Sequence, residues 1–92
     1  METIHKSFDK RARVLYVSVG KPRPATSRHL SNGVLVRVDP QTGEFVGLTV
    51  FGFNATKEKK YENTIRGAVT IPKGLLPQII NKLKSTASRI RK

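Results

Sequence analysis

The sequence predicts an α+β domain in which a small antiparallel β-meander sheet is packed by one C-terminal amphipathic helix. Three observations carry that reading. Between residues 13 and 53, short runs rich in β-branched and aromatic residues alternate with Gly, Pro, Asn and Asp turn signals, as consecutive antiparallel strands require. After Gly74 the apolar period changes: Leu76, Ile79, Ile80, Leu83, Ala87 and Ile90 fall at helical spacing. The 92 residues contain no internal repeat, low-complexity run or linker, so 1–92 reads as a single domain.

Each element follows from its residues. Ile4, Lys6 and Phe8 alternate with His5 and Ser7, which predicts a first strand ending at Asp9-Lys10-Arg11. Arg13-Val14-Leu15-Tyr16-Val17-Ser18-Val19 is a second, stopped by Gly20. Pro22 and Pro24 fix φ and remove two backbone donors, so 21–27 crosses over as an extended loop. Asn32-Gly33 tolerates the positive φ values of a type I′ turn and predicts a hairpin between 28–30 and 34–38. Asp39-Pro40-Gln41-Thr42-Gly43 predicts a second hairpin, leading into a strand over 44–53. A charged loop is expected at 57–61 and a short strand at 68–71, closed by Pro72. Pro77 suits the first turn of the C-terminal helix, where its missing N–H costs nothing.

Charge is the feature that bears most on function. Eighteen Lys and Arg oppose six Asp and Glu, for a net charge of +12. Residues 81–92, the basic helix end and tail, contain Lys82, Lys84, Arg89, Arg91 and Lys92 and no acid. Such a surplus attracts phosphate backbones, an acidic protein or an anionic membrane, and it exceeds what solubility alone requires. Without cysteine there is no disulfide, thiol nucleophile or thiolate metal site. The stretch Met1-Glu2-Thr3-Ile4-His5-Lys6 lacks the apolar run of a secretory signal, and no apolar segment approaches the roughly 20 residues of a membrane helix, so the expectation is a cytoplasmic protein with no membrane insertion. Asn54-Ala55-Thr56 matches a glycosylation acceptor, which a cytoplasmic protein would not use.

Catalysis finds little support. The six carboxylates are scattered, and no triad, metal cluster or phosphate-cradling glycine loop emerges, so no catalytic residue, metal ligand or cofactor is assigned and an enzyme is not expected. His5 and His29 each stand next to or near a basic residue and read as strand-face histidines. Asp39 and Glu44 read as turn chemistry rather than as an acid–base pair. Tyr16, Phe45, Phe51 and Phe53 suggest a stacking platform for single-stranded nucleic acid, but alternation puts the three phenylalanines in one row, the pattern of a core face.

A resemblance spans about half the chain. Phe8-Asp9, Val14-Leu15-Tyr16-Val17-Ser18, Pro22-Arg23-Pro24-Ala25-Thr26-Ser27, Gly33-Val34-Leu35-Val36 and Gly43-Glu44-Phe45-Val46-Gly47-Leu48-Thr49-Val50 together resemble the small bacterial and archaeal family known as domain of unknown function 2283. The resemblance implies a small antiparallel meander with C-terminal helical or extended structure. It supplies no catalytic residues, and it suggests an antitoxin-like role for some members. This chain departs from the commonly acidic members at Arg28-His29-Leu30-Ser31-Asn32 and in its basic tail.

The function expected is that of a non-enzymatic basic binding module for an anionic macromolecule, nucleic acid first. Lys57, Lys59 and Lys60 in the loop, and Lys82, Lys84, Arg89, Arg91 and Lys92 on the helix and tail, would contact phosphates without reading bases. The alternative is a protein-interaction component, antitoxin-like or an assembly factor, that covers an acidic partner protein. Apolar residues on both faces of the strands 14–19 and 44–53, with one helix to cover them, further predict a homodimer.

Overall fold

A computed structural model of the protein describes residues 3–68 and 70–90, with only the backbone of Ile90. The fold is α+β. Strands β1 (Ile4–Asp9), β2 (Val14–Val19), β3 (Thr26–His29), β4 (Val34–Val38) and β5 (Phe45–Val50) precede a short 3₁₀ turn (Ala55–Lys57) and two helices, α1 (Glu58–Arg66) and α2 (Leu76–Ile90). The sheet is antiparallel throughout, in the order β1-β2-β5-β4-β3. Strands β3, β4 and β5 run as a meander, and the β1–β2 hairpin docks on β5. The proline-bearing crossover makes this possible by carrying the chain from β2 to the far edge.

The turns form for the reasons their residues supply. Asn32 and Gly33 both take positive φ, 60° and 73°, the type I′ geometry. Asp39 Oδ1 accepts from the N–H groups of Gln41 (2.8 Å) and Thr42 (3.2 Å), and Gly43 exits at φ 76°. Asp9 holds the first turn in the same way through Arg11 and Ala12.

Both helices lie on one face of the sheet. The inner rows run Phe8, Leu15, Val50, Val34 and then Lys6, Val17, Leu48, Val36 across the register. Against them pack Phe53, Tyr61 and Ile65 with Ile79, Leu83 and Ala87 of α2. Phe53 stacks on Tyr61 at 5.2 Å between ring centroids and meets the edge of Phe8 at 5.8 Å. The buried Tyr61 hydroxyl accepts the Asn54 N–H at 3.0 Å, which ties α1 to the strand exit. Tyr61→Phe keeps the packing and orphans that amide. It is expected to cost about 1–2 kcal/mol, read as a lower midpoint in thermal denaturation; an unchanged midpoint would show that the hydroxyl contributes nothing.

Four local expectations are corrected. The 57–61 segment is not a loop: Lys57 closes the 3₁₀ turn and 58–61 begins α1, so there are two helices rather than one. Asn54 caps the 3₁₀ turn that leads into α1, its side chain accepting from the Thr56 N–H at 3.0 Å, and Tyr61 and Ile65, four residues apart, give the helix its buried side. Ala68, Thr70 and Ile71 lie in irregular and turn structure rather than a strand, with Val69 outside the described residues. The strand 44–53 ends at Val50. Within it a bulge sets Val38 opposite Phe45 while Arg37 faces Gly47, leaving Val46 as the extra residue. Phe45 therefore joins Leu48 and Val50 on the inner face, and the three phenylalanines do not share a row.

Candidate nucleic-acid interface

Four of the predicted cations fall into two groups on opposite flanks of α2, Lys82 with Arg89 and Lys84 with Lys59. Lys82 and Arg89, seven residues apart and so on one side of the helix, face β1. There they meet Lys6, whose Nζ lies 3.4 Å from Ser85 Oγ. Partial burial between β1 and α2 is the first cause that lowers the Lys6 ammonium below the ordinary lysine value, followed by the positive charges of Arg89 and Lys82. Among the described residues none of these three cations makes an ion pair. A patch of unneutralised like charge costs stability in the absence of a counter-ion, and it is a ready seat for phosphate.

Lys84 points the other way. It stands 3.9 Å from Glu62 Oε1, and Arg66 Nε donates to Glu62 Oε2 at 3.1 Å. That hydrogen bond is the main reason the Glu62 carboxyl lies below its ordinary range; burial opposes it, and the charges of Lys59, Lys84 and Arg66 add to it. Lys59, Lys84 and Arg66 thus share one carboxylate and keep a net positive charge. Lys57 and Lys60 are exposed on the 3₁₀ turn and α1. Arg91 and Lys92 lie outside the described residues.

Lys6 has no signal in the sequence that marks it as a site residue. It sits 76 residues before Lys82, and only the docking of α2 on β1 brings the two together. Arg23, by contrast, is neutralised by Asp39 and Glu44, each at 3.7 Å. The Asp39 carboxyl is held below its ordinary range chiefly by the Gln41 and Thr42 amides, so it serves the turn.

The opposite face of the sheet carries no helix. Its rows read Ser7, Tyr16, Thr49, Leu35, His29 and His5, Ser18, Gly47, Arg37, Ser27 across the register. His5 and His29 sit at opposite edges, far from a common ligand site, and no group of three metal-capable side chains occurs among the described residues. Of the four candidate stacking rings, Phe45 and Phe53 are buried, whereas Tyr16 and Phe51 are 46% and 50% exposed. Among the described residues no helix is long and apolar enough to cross a membrane. Comparison with known proteins returns no matching family model, no matching curated protein and no matching solved structure.

Proposed function

We propose that this protein is a non-enzymatic, cytoplasmic binding module that engages nucleic acid through its phosphate backbone. The observation that carries the reading is the convergence of Lys6, Lys82 and Arg89, from two distant parts of the chain, into a patch where none of the three makes an ion pair among the described residues. Lys57, Lys59, Lys60 and Lys84 extend the positive surface over the helical layer. Arg91 and Lys92, at the end of the same basic segment, add to its charge. These groups would position a phosphate backbone without reading sequence.

An acidic protein partner, in an antitoxin-like or assembly role consistent with the family resemblance, is the second reading and would use the same cations. Electrophoretic titration at several salt concentrations separates the two when combined with co-purification from the native host. Nucleic-acid binding predicts a linear fall of log K with log salt, about 0.9 per phosphate contact on a duplex and about 0.7 on a single strand. Affinity for nucleic acid that ignores salt, with a stoichiometric acidic protein co-purifying, overturns it. The homodimer expected from the strand pattern is a competing occupant of the helix-free face, and light scattering reads it directly.

A further inference from the structure

The helix-free face combines three features in a line. Phe51 donates its N–H to Gly33 O at 2.9 Å and continues the register one step past Val50, which places it beside Val14 on the outer side. Tyr16 lies one row further, and Ser18 and Arg37 one row beyond that. Rows are about 6.8 Å apart, two residues of antiparallel strand. Past the last row opens a cleft of about 230 Å³ bounded by Ser18, Lys21, Arg23, Arg37 and Val46 together with Val19 and Pro22. Among the described residues no carboxylate bounds it. Arg23 is spent on Asp39 and Glu44, but Lys21 and Arg37 make no ion pair among the described residues.

Tyr16 and Phe51 are the exposed large apolar side chains of the described chain, and both stand on this face. Around them the exposed and half-buried side chains are Ser7, Ser18, His29 and Arg37, while Thr49 and the apolar Val14 and Leu35 on the same face are buried. That composition is poor ground for a second copy. Two half-exposed rings offer about 200 Å², against about 800 Å² per partner in a stable interface. It suits a ligand with flat apolar units joined by anions. Rings beside a cationic groove bind single strands because every unpaired base presents a π-face, whereas a duplex keeps its bases stacked inside.

We propose that the open sheet face binds single-stranded nucleic acid, with Phe51 and Tyr16 stacking successive bases and the cleft between Lys21 and Arg37 holding the phosphate that follows. The proposal deepens the nucleic-acid reading and rests on it. It also assigns the face and the helical patch different work: the face selects unpaired strands, and the patch adds charge attraction that single and double strands share.

Fluorescence anisotropy with a labelled 12-nucleotide oligothymidylate and a 12-base-pair duplex tests this on four proteins. These are the parent, Tyr16→Ala/Phe51→Ala, Tyr16→Phe and Lys82→Gln/Arg89→Gln, each checked for folding by circular dichroism. The parent is expected to prefer the single strand. The double alanine variant should lose on the order of tenfold or more in single-strand affinity and keep its duplex affinity, while Tyr16→Phe stays near the parent. The Lys82→Gln/Arg89→Gln variant should weaken both ligands together. With no tryptophan in the chain and Tyr61 buried, quenching of tyrosine emission by unlabelled oligothymidylate reads Tyr16 directly. Equal affinity for both ligands, or undiminished single-strand binding by the double alanine variant, overturns this proposal and leaves the phosphate-binding reading intact. A parent that is dimeric until Tyr16 and Phe51 are removed also overturns it, since a second copy then covers the face. Failure of the parent to bind either ligand overturns both.

Discussion

Gly47→Ala is expected to lower the melting temperature by roughly 10–20 °C, from about 2–3 kcal/mol of lost stability in a domain of this size. Gly47 lies in β5, the central strand, paired with Ser18 on one side and Arg37 on the other. A Cβ added there would stand 2.7 Å from the Val17 carbonyl oxygen and 3.4 Å from Ser18 Cα. Both are backbone atoms of the neighbouring strand. Relief therefore means prying β2 from β5, and the Leu15–Val50 and Val17–Leu48 pairs that floor the core move with them. Gly74→Ala is the control. An added Cβ at Gly74 meets nothing within 4 Å, and its backbone lies outside the left-handed region, so that change should be neutral or stabilise by about 0.4–1 kcal/mol through the unfolded chain. Parallel thermal melts decide the matter: a Gly47→Ala protein that melts with the parent would mean that β2 and β5 do not pair in this register.

What the chain reveals without its structure follows the range of the interactions involved. The hairpin at Asn32-Gly33 and the turn at Asp39 are local chemistry, and both form where four or five residues say they should. The period of α2 is legible because Ile79, Ile80, Leu83 and Ala87 all reach the core. Helix α1 is harder to read, since only Tyr61 and Ile65 mark its apolar side while Lys57, Glu58, Lys59 and Lys60 resemble a solvated run. The bulge at Val46 is silent in the residue pattern, yet one extra residue exchanges the faces of everything before it. That single shift buries Phe45. Phe51 and Phe53 part for another reason, because the strand stops at Val50 and the chain turns at Gly52, φ 61°. The site divides the same way. Lys57, Lys59, Lys60, Lys82, Lys84 and Arg89 are visible as charge, but which of them act together depends on the side of the helix they occupy and on what docks there. Lys84 is turned to Glu62, and Lys82 and Arg89 are turned to a lysine that no sequence window contains.

That grouping yields a variant whose stability and binding should move in opposite directions. Replacing Lys6, Lys82 and Arg89 together by glutamine removes three mutually repelling charges and, under the proposed function, three phosphate contacts. Each lost contact lowers the salt slope by about 0.7 on a single strand or 0.9 on a duplex, so the slope should fall by about 2–3 in all. If parent and variant converge near 1 M salt, where the counter-ion gain vanishes, the loss of three contacts corresponds to roughly 50–170-fold weaker binding at 0.15 M. The folded protein, meanwhile, should become more resistant to denaturant, because the like-charge cost falls only on the native state. The pH dependence carries the same signature. Lys6 is lowered in the folded protein, first by burial and then by Arg89 and Lys82, so the unfolded chain binds the more protons in the window just below the ordinary lysine value. Stability of the parent should therefore rise with pH through that window, to about 10.4. The triple variant has lost the titrating group and should show no such rise. Urea titrations at pH 7 and pH 10, set beside the salt series, separate the possibilities. A variant that binds as the parent does places the phosphate contacts elsewhere on the chain, and one that is less stable at pH 7 means that the lysine stem and its bond to Ser85 outweigh the repulsion.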